Sequence, residues 1–169
     1  MEKQANLEVW MRGPIANIPS LLQPVAHAFL QVEEDIQAVL ESVSEQQIWE
    51  RPREIASIAF HVQHIVGVVD RMFTYARGSA LSEAQFAYLK NEGKQTGGID
   101  KDHLLRELRE GMERALAELR STDMQQLGET RHLGRQQIPT TLIGLLFHAA
   151  EHSQRHFGQL LVTAKWLNA

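Results

Sequence analysis

The sequence predicts an all-α protein, a four-helix bundle formed by a single domain over residues 1–169. Apolar residues recur at helical spacing in four long segments, whereas no segment alternates convincingly between apolar and polar residues as a half-buried strand does. The length of 169 residues is typical of one domain and is enough to bury a core without disulfides. Four long helices with a long connection between the second and the third are typical of a bundle.

Residues 1–18 are predicted to form an N-terminal lead-in, which we expect Trp10 to anchor to the body. The first helix is predicted over residues 20–43, because apolar residues recur there three or four positions apart. These residues are Val25, Phe29, Val32, Ile36, Val39, Leu40 and Val43. Pro24 falls in the first turn of this helix, where its missing N–H is tolerated.

The second helix is predicted over residues 54–76, with Gly78 as its C-terminal stop. A short connecting helix is predicted to begin near residue 81, with Ser82 as its cap. Residues 93–98 contain three glycines and are predicted to form a loop.

The third helix is predicted over residues 100–119, with Asp100 as its N-cap and a row of leucines facing inward. Residues 122–139 show no clear periodicity, and residues 130–135 within them are interpreted as an extended loop. The irregular segment is therefore predicted to be a connection.

The fourth long helix is predicted over residues 140–167, with Thr140 or Thr141 as its cap. We interpret Gly144 and Gly158 as positions where this helix packs closely against its neighbours.

Composition excludes several classes of protein. The net charge is -4 and no basic run occurs, which disfavours binding to nucleic acid or to anionic membranes. The chain has no cysteine, so disulfides, thiolate metal ligands and a cysteine nucleophile are all excluded. No stretch approaches the ~20 apolar residues of a membrane span, and the N-terminus has no signal pattern. We therefore expect a cytoplasmic protein.

Histidine is the residue type that carries chemistry here. Five of the eight histidines fall in two short clusters, which are His61 and His64, and His148, His152 and His156. The last three are each four residues apart, slightly more than one helical turn, so they form a row on an inward face. Two imidazoles at this spacing can chelate one ion, and a third can come from the facing pair. The spacing alone leaves open which histidines are ligands, and a core polar network is the alternative.

Two segments also resemble the DinB/YfiT-like family. In that family a His-x3-His pair is followed closely by Gly-Gln, as His152 and His156 are followed here by Gly158-Gln159. Upstream, Ser57-Ile58 leads seven residues later to His64, in the way that the family's second-helix motif leads to a ligand histidine. The resemblance covers roughly residues 14–166.

The resemblance implies an up-down-down-up four-helix bundle and a divalent ion on three histidines. It selects as ligands His64, His152 and His156. The remaining candidates, for supporting the ligands or for contacting substrate, are His61, His148 and Gln159. Glu151 lies about 100° around the helix from His152 and is interpreted as a solvated or helix-pairing carboxylate. Imidazole ligands suit several transition metals, of which we expect zinc or nickel. Family members are often dimers, so the resemblance also implies a homodimer.

Three neutral histidines would leave the ion its full positive charge, so an open position would favour hydroxide or thiolate. The family that the sequence resembles includes transferases that use low-molecular-weight thiols such as bacillithiol and mycothiol. We therefore expect a thiol-dependent S-transferase acting on a small electrophile. The alternatives are a metal-dependent hydrolase and a non-catalytic metal-binding bundle.

Overall fold

A computed structural model describes residues 7–169, which form five α-helices, one β-hairpin and several short 3-10 turns. The elements are α1 (Gln23–Ser42), α2 (Ile58–Ala76), α3 (Glu83–Asn91), α4 (Lys101–Ser121), β1 (Thr130–Leu133), β2 (Ile138–Thr141) and α5 (Leu142–Leu167). The four long helices that the periodicity predicts and the short connecting helix that Ser82 predicts are all present.

The long helices pack as a four-helix bundle in which α1 contacts α4 and α5, and α2 contacts the same two helices. The consecutive helices α1 and α2 therefore lie mainly on a diagonal of the bundle. The helix α3 lies in the long connection between α2 and α4 and packs on α2. This arrangement is the predicted up-down-down-up bundle. No helix within residues 7–169 combines the length and the apolar character that crossing a membrane requires.

The capping residues were predicted well, because each uses a local side-chain contact. Ser82 forms a capping box with Gln85 at the start of α3. The side chain of Asp100 accepts a hydrogen bond from His103 N at the start of α4, and Thr141 accepts one from Gly144 N at the start of α5. Gly78, with a φ of +72°, follows the end of α2, as predicted.

The predicted start of α2 at residue 54 was wrong. Arg53 and Glu54 adopt left-handed backbone conformations, with φ of 51° and 65°, which a continuous helix cannot include. The helix begins instead at Ile58, where the hydroxyl of Ser57 accepts a hydrogen bond from Phe60 N.

The prediction that residues 130–135 form a loop was also wrong. Thr130–Leu133 and Ile138–Thr141 pair as antiparallel strands, and Thr130 lies opposite Thr141. Each strand has four residues, too few to show a clear alternation in the sequence. Arg131 ties the hairpin to the bundle, because its Nε donates to the carbonyl of Ala76 at the end of α2.

The lead-in is held by Val9 and not by Trp10. Val9 is buried, and its backbone N–H donates to Gln31 Oε1 on α1 over 2.8 Å. Trp10 is 59% exposed and donates its indole N–H to Glu8. Residues 1–6 of the predicted lead-in lie outside the described residues.

The apolar core runs along the bundle axis and is built from residues of all four long helices. Its largest fully buried side chains include Phe29, Ile36, Ile58, Ile65, Leu108, Met112, Leu146 and Leu160. The helix α2 also buries polar side chains, which are His61, Gln63, Arg71 and Thr74. Buried polar groups need partners, so α2 is the element from which a functional site is best traced.

Candidate metal centre

Three histidine rings converge between α2 and α5. Nε2 of His64 lies 3.0 Å from Nε2 of His152. The ring centroid of His156 lies 4.4 Å from that of His64 and 4.5 Å from that of His152. One ring nitrogen from each histidine lies within 4.8 Å of the other two. The row of histidines on α5 therefore meets the second-helix histidine across the bundle.

These separations fit a shared transition-metal ion. Imidazole nitrogens bind zinc at about 2.0–2.1 Å in tetrahedral geometry, so two such ligands on one ion lie about 3.3–3.4 Å apart. The contact of 3.0 Å between His64 and His152 is a few tenths of an ångström shorter, so a small movement of either ring would bring the two nitrogens to that separation. The donor set contains three imidazoles and no carboxylate, which suits zinc, nickel or copper better than magnesium or calcium.

His64 is oriented by a carboxylate from another part of the chain. Glu92, the residue after α3, places Oε2 2.6 Å from Nδ1 of His64. A carboxylate only accepts hydrogen bonds, so Nδ1 of His64 donates the proton. The lone pair of His64 is then on Nε2, the atom that faces the cluster. Ligand histidines in metalloproteins are commonly held by this kind of hydrogen bond.

Glu92 is itself buried against α2 and held there by a second contact. Its side chain is 3% exposed, and Oε1 accepts a hydrogen bond from Arg71 Nη1 over 2.8 Å. Gly67 lies between His64 and Arg71 on α2, and a Cβ there would overlap both Glu92 Oε1 and Arg71 Nη1. The glycine therefore provides the space in which this ion pair lies.

The turn after Glu92 is pinned to the same helix. Gly93 has a φ of +76°, and its N–H donates to Gln63 Oε1 over 2.7 Å. A Cβ at Gly93 would lie 2.9 Å from the ring of Phe60. That ring stacks on His64, with centroids 5.3 Å apart and planes at 14°. The loop at residues 93–98 was predicted, but its contact with the site was not.

His156 is paired with the other histidine of α2. Nδ1 of His156 lies 3.0 Å from Nδ1 of His61, and His61 is 3% exposed. Burial, with a smaller effect of the neighbouring His64, lowers the pKa of His61 to about 4 and that of His156 to about 3. Both rings are therefore neutral near pH 7, and one donates to the other. Neutral imidazole is the form that binds metals.

His152 is neutral for the same reason but lacks a second partner. Burial, followed by the effect of His64, lowers its pKa to about 4. Its Nε2 faces His64, whereas its Nδ1 is fully buried and has no hydrogen-bond partner among residues 7–169. A buried polar atom without a partner is costly unless a ligand or water reaches it.

The other candidates lie around the cluster. The side chain of His148 is 45% exposed, and its Nδ1 lies 2.9 Å from Glu151 Oε1. Gln159 is exposed and lines an apolar cavity of about 570 Å³ together with His61. No hydrogen bond joins Gln159 to any of the three converging rings within the described part of the chain. Of these candidates, which are His61, His148 and Gln159, it is His61 that forms a hydrogen bond with one of the three converging histidines.

The interpretation of the two α5 glycines as interhelical packing positions was wrong. A Cβ at Gly158 would meet nothing within 4 Å. A Cβ at Gly144 would meet only the hydroxyls of Thr140 and Thr141, which precede it at the start of the helix. Gly158 instead borders the cavity beside His61.

The sequence reasoning missed Glu92 and Arg71. The contact between Glu92 and His64 spans 28 residues and two helices, so no local spacing reports it. A weaker signal was available on α2 itself, where His64, Gly67 and Arg71 occupy positions i, i+3 and i+7 of one face. A glycine between a histidine and an arginine on an otherwise apolar face indicates that a partner group enters there.

Comparisons with known proteins identify the family of the chain. The sequence profile of the DinB superfamily matches residues 28–160. No curated protein matches. Among solved structures, YfiT from Bacillus subtilis superposes with a TM-score of 0.66 at 17% identity, covering 92% of this chain and 93% of that one. YfiT is described as a probable metal-dependent hydrolase with an unusual four-helix bundle topology. At this identity the likeness shows the fold, and it confirms the predicted bundle.

Proposed function

This chain belongs to the DinB superfamily, and we propose that it is a divalent-metal-dependent enzyme whose ion is held by His64, His152 and His156. The observation that carries the proposal is the convergence of three imidazoles from two helices, with the buried carboxylate of Glu92 behind one of them. Nε2 of His64 and Nε2 of His152 face each other over 3.0 Å, close enough for one ion to bind both. Zinc or nickel is the proposed ion.

The proposed reaction is the transfer of a low-molecular-weight thiol to a small electrophile, in which the thiol loses its proton, its sulfur bonds to the electrophilic carbon, and the leaving group departs from that carbon with the electron pair. When bound, the ion would supply Lewis acidity that favours the ionised form of a thiol or of water. The chain has no cysteine, so a sulfur nucleophile has to come from a cofactor. The three ligands are neutral, which leaves the site a net positive charge that attracts an anion such as a thiolate.

The chain's own residues would orient the ligands and hold the substrate. Glu92 keeps the proton of His64 on Nδ1, and His61 restrains the ring of His156 through the contact between their Nδ1 atoms. The apolar cavity beside His61 is lined by Ile55 and Val162, among others, and suits a small apolar electrophile. His61, which lines this cavity and contacts His156, is the residue that connects the cavity with the histidine cluster.

Hydrolysis is the second candidate, because YfiT is described as a probable metal-dependent hydrolase. The same three histidines would serve, with water in the place of the thiol. The two reactions differ in whether turnover needs a thiol and in whether sulfur reaches the ion.

A cobalt-substituted protein distinguishes these functions. We expect 2-mercaptoethanol, but not ethylene glycol, to produce a near-ultraviolet sulfur-to-cobalt charge-transfer band. The band should be absent from a His64→Ala variant and retained in a His103→Ala variant, since His103 lies on α4 away from the cluster. Cobalt that binds without any response to thiols, together with thiol-independent turnover, would favour the hydrolase. Cobalt whose spectrum responds to neither thiol nor added anions would favour a closed, non-catalytic site.

A further inference from the structure

We propose that a second transition-metal ion binds beside the first, held by His148, Glu151 and the remaining ring nitrogen of His152. One ligand atom from each of these residues lies within 4.8 Å of the other two. This inference rests on the proposed function, because His152 would be shared between the two ions. It gives a role to His148 and Glu151, which the three-histidine site leaves unused.

The spacing of these residues is suited to binding a metal. His148, Glu151 and His152 stand at positions i, i+3 and i+4 of α5, so their side chains share one side of the helix. The pattern His-x-x-Glu-His also occurs in a class of metalloproteases, where the two histidines bind zinc. Nδ1 of His148 lies 2.9 Å from Glu151 Oε1, a separation that one ion can span.

His152 has a nitrogen to offer to each ion. Its Nε2 lies 3.0 Å from Nε2 of His64, on the side of the three-histidine cluster. Its Nδ1 is buried and has no hydrogen-bond partner in residues 7–169, although buried ring nitrogens are normally paired. A second ion would provide that partner, and the ring that joins the two ions would have lost both of its protons.

The charges around this second position also differ from those of the first. Glu151 would be the only carboxylate ligand in the pair of sites, because Glu92 is held by Arg71 and His64. The competitor is Arg155, whose Nη2 donates to both oxygens of Glu151 over 2.7 and 2.5 Å. The side chain of Arg155 is 54% exposed, so it can leave Glu151 for solvent. The side chains of His148 and Glu151 are 45% and 29% exposed, which predicts a weaker and more readily exchanged ion.

The test is a zinc titration of the metal-free protein, followed by calorimetry and by metal analysis at graded free zinc. We expect the wild type to show a tight class and a weaker class of site. The variant His148→Ala/Glu151→Gln should lose only the weaker class. Arg155→Ala should strengthen the weaker class several-fold, because it frees Glu151 from its competitor. His103→Ala is the matched control, since His103 likewise lies near a glutamate of its own helix, and should change neither class.

The outcomes separate this inference from the proposed function. His64→Ala should remove the tight class while a weaker class remains. A wild type that binds zinc in a single class, or a weaker class that survives in His148→Ala/Glu151→Gln, would overturn the second site and leave the first intact. Loss of both classes in that variant would also overturn it, because His148 and Glu151 would then belong to the first site. Absence of the tight class in the wild type would instead contradict the proposed function.

Discussion

Oε2 of Glu92 lies 2.6 Å from Nδ1 of His64, and this contact decides which nitrogen of His64 faces the histidine cluster. The carboxylate comes from the end of a short connecting helix, not from the bundle itself. The carboxylate is buried, and its negative charge is balanced by the guanidinium of Arg71. The connection between α2 and α4 is therefore part of the proposed site.

Replacing Glu92 with glutamine is expected to weaken zinc binding. The amide cannot hold the His64 proton on Nδ1 as strongly, and loss of such a supporting carboxylate typically lowers metal affinity about 10–100-fold. The affinity can be measured by competition with a chromogenic chelator. Glu110→Gln is the matched control, because Glu110 is an exposed glutamate on α4. Equal zinc affinity in wild type and Glu92→Gln would show that the contact does not support a ligand.

Alanine at two helical glycines should have opposite effects on stability. Glycine is less favourable than alanine in a helix by about 1 kcal/mol, so Gly158→Ala should stabilise the protein by up to that amount. A Cβ at Gly67 meets Glu92 and Arg71, so Gly67→Ala should destabilise it by about 1–3 kcal/mol. Urea unfolding of the two metal-free variants measures both changes. If Gly67→Ala increased the free energy of unfolding, Gly67 would not be needed to make space for the ion pair between Glu92 and Arg71.

The metal-free protein should lose stability as the pH falls from about 6.5 toward 4. The folded-state pKa values of His61 and His152 are about 4 and that of His156 is about 3, whereas unfolded histidine titrates near ~6.5. Between these pH values the unfolded chain binds more protons than the folded chain. The contribution of these histidines to the free energy of unfolding is therefore fully present above about pH 6.5 and is lost as the pH falls toward about 4. Each such histidine contributes up to about 1.4 kcal/mol per pH unit. Burial raises the pKa of Glu33 and Asp35, which opposes the trend at the acidic end.

Urea unfolding at pH 7 and pH 5 tests this dependence. The variant His61→Asn removes one of the three groups, so its stability should vary less between the two pH values than that of the wild type. A His27→Asn variant is the control, because His27 lies on α1 outside the cluster. Identical pH dependence in wild type and His61→Asn would contradict the effect assigned to burial of His61.

Features that depend on neighbours in the sequence were predictable. The four long helices follow from apolar periodicity, and the caps at Ser82, Asp100 and Thr141 follow from local side-chain hydrogen bonds. The start of α2 was missed because the left-handed conformation of Arg53 and Glu54 has no sequence signal of its own. Elements set by local propensity can be read from a sequence, whereas unusual backbone conformations mostly cannot.

The candidate site was predictable only in part, for a related reason. The row of histidines on α5 is visible because i and i+4 residues share a face. The choice of His64 over His61 came from a family motif, since both lie on α2 and their different partners depend on packing. Glu92 was missed because its partners His64 and Arg71 are reached only when α3 folds back onto α2.

The measurement that tests the account most directly is the metal content of the untagged protein, purified without chelators. We predict about one equivalent of tightly held zinc or nickel per chain, because the convergence of three imidazoles favours retention of a transition metal. A variant with His64→Ala, His152→Ala and His156→Ala should contain none while keeping its helical circular dichroism. A wild type that carries no metal, and takes up neither zinc nor nickel when they are added, would contradict the account.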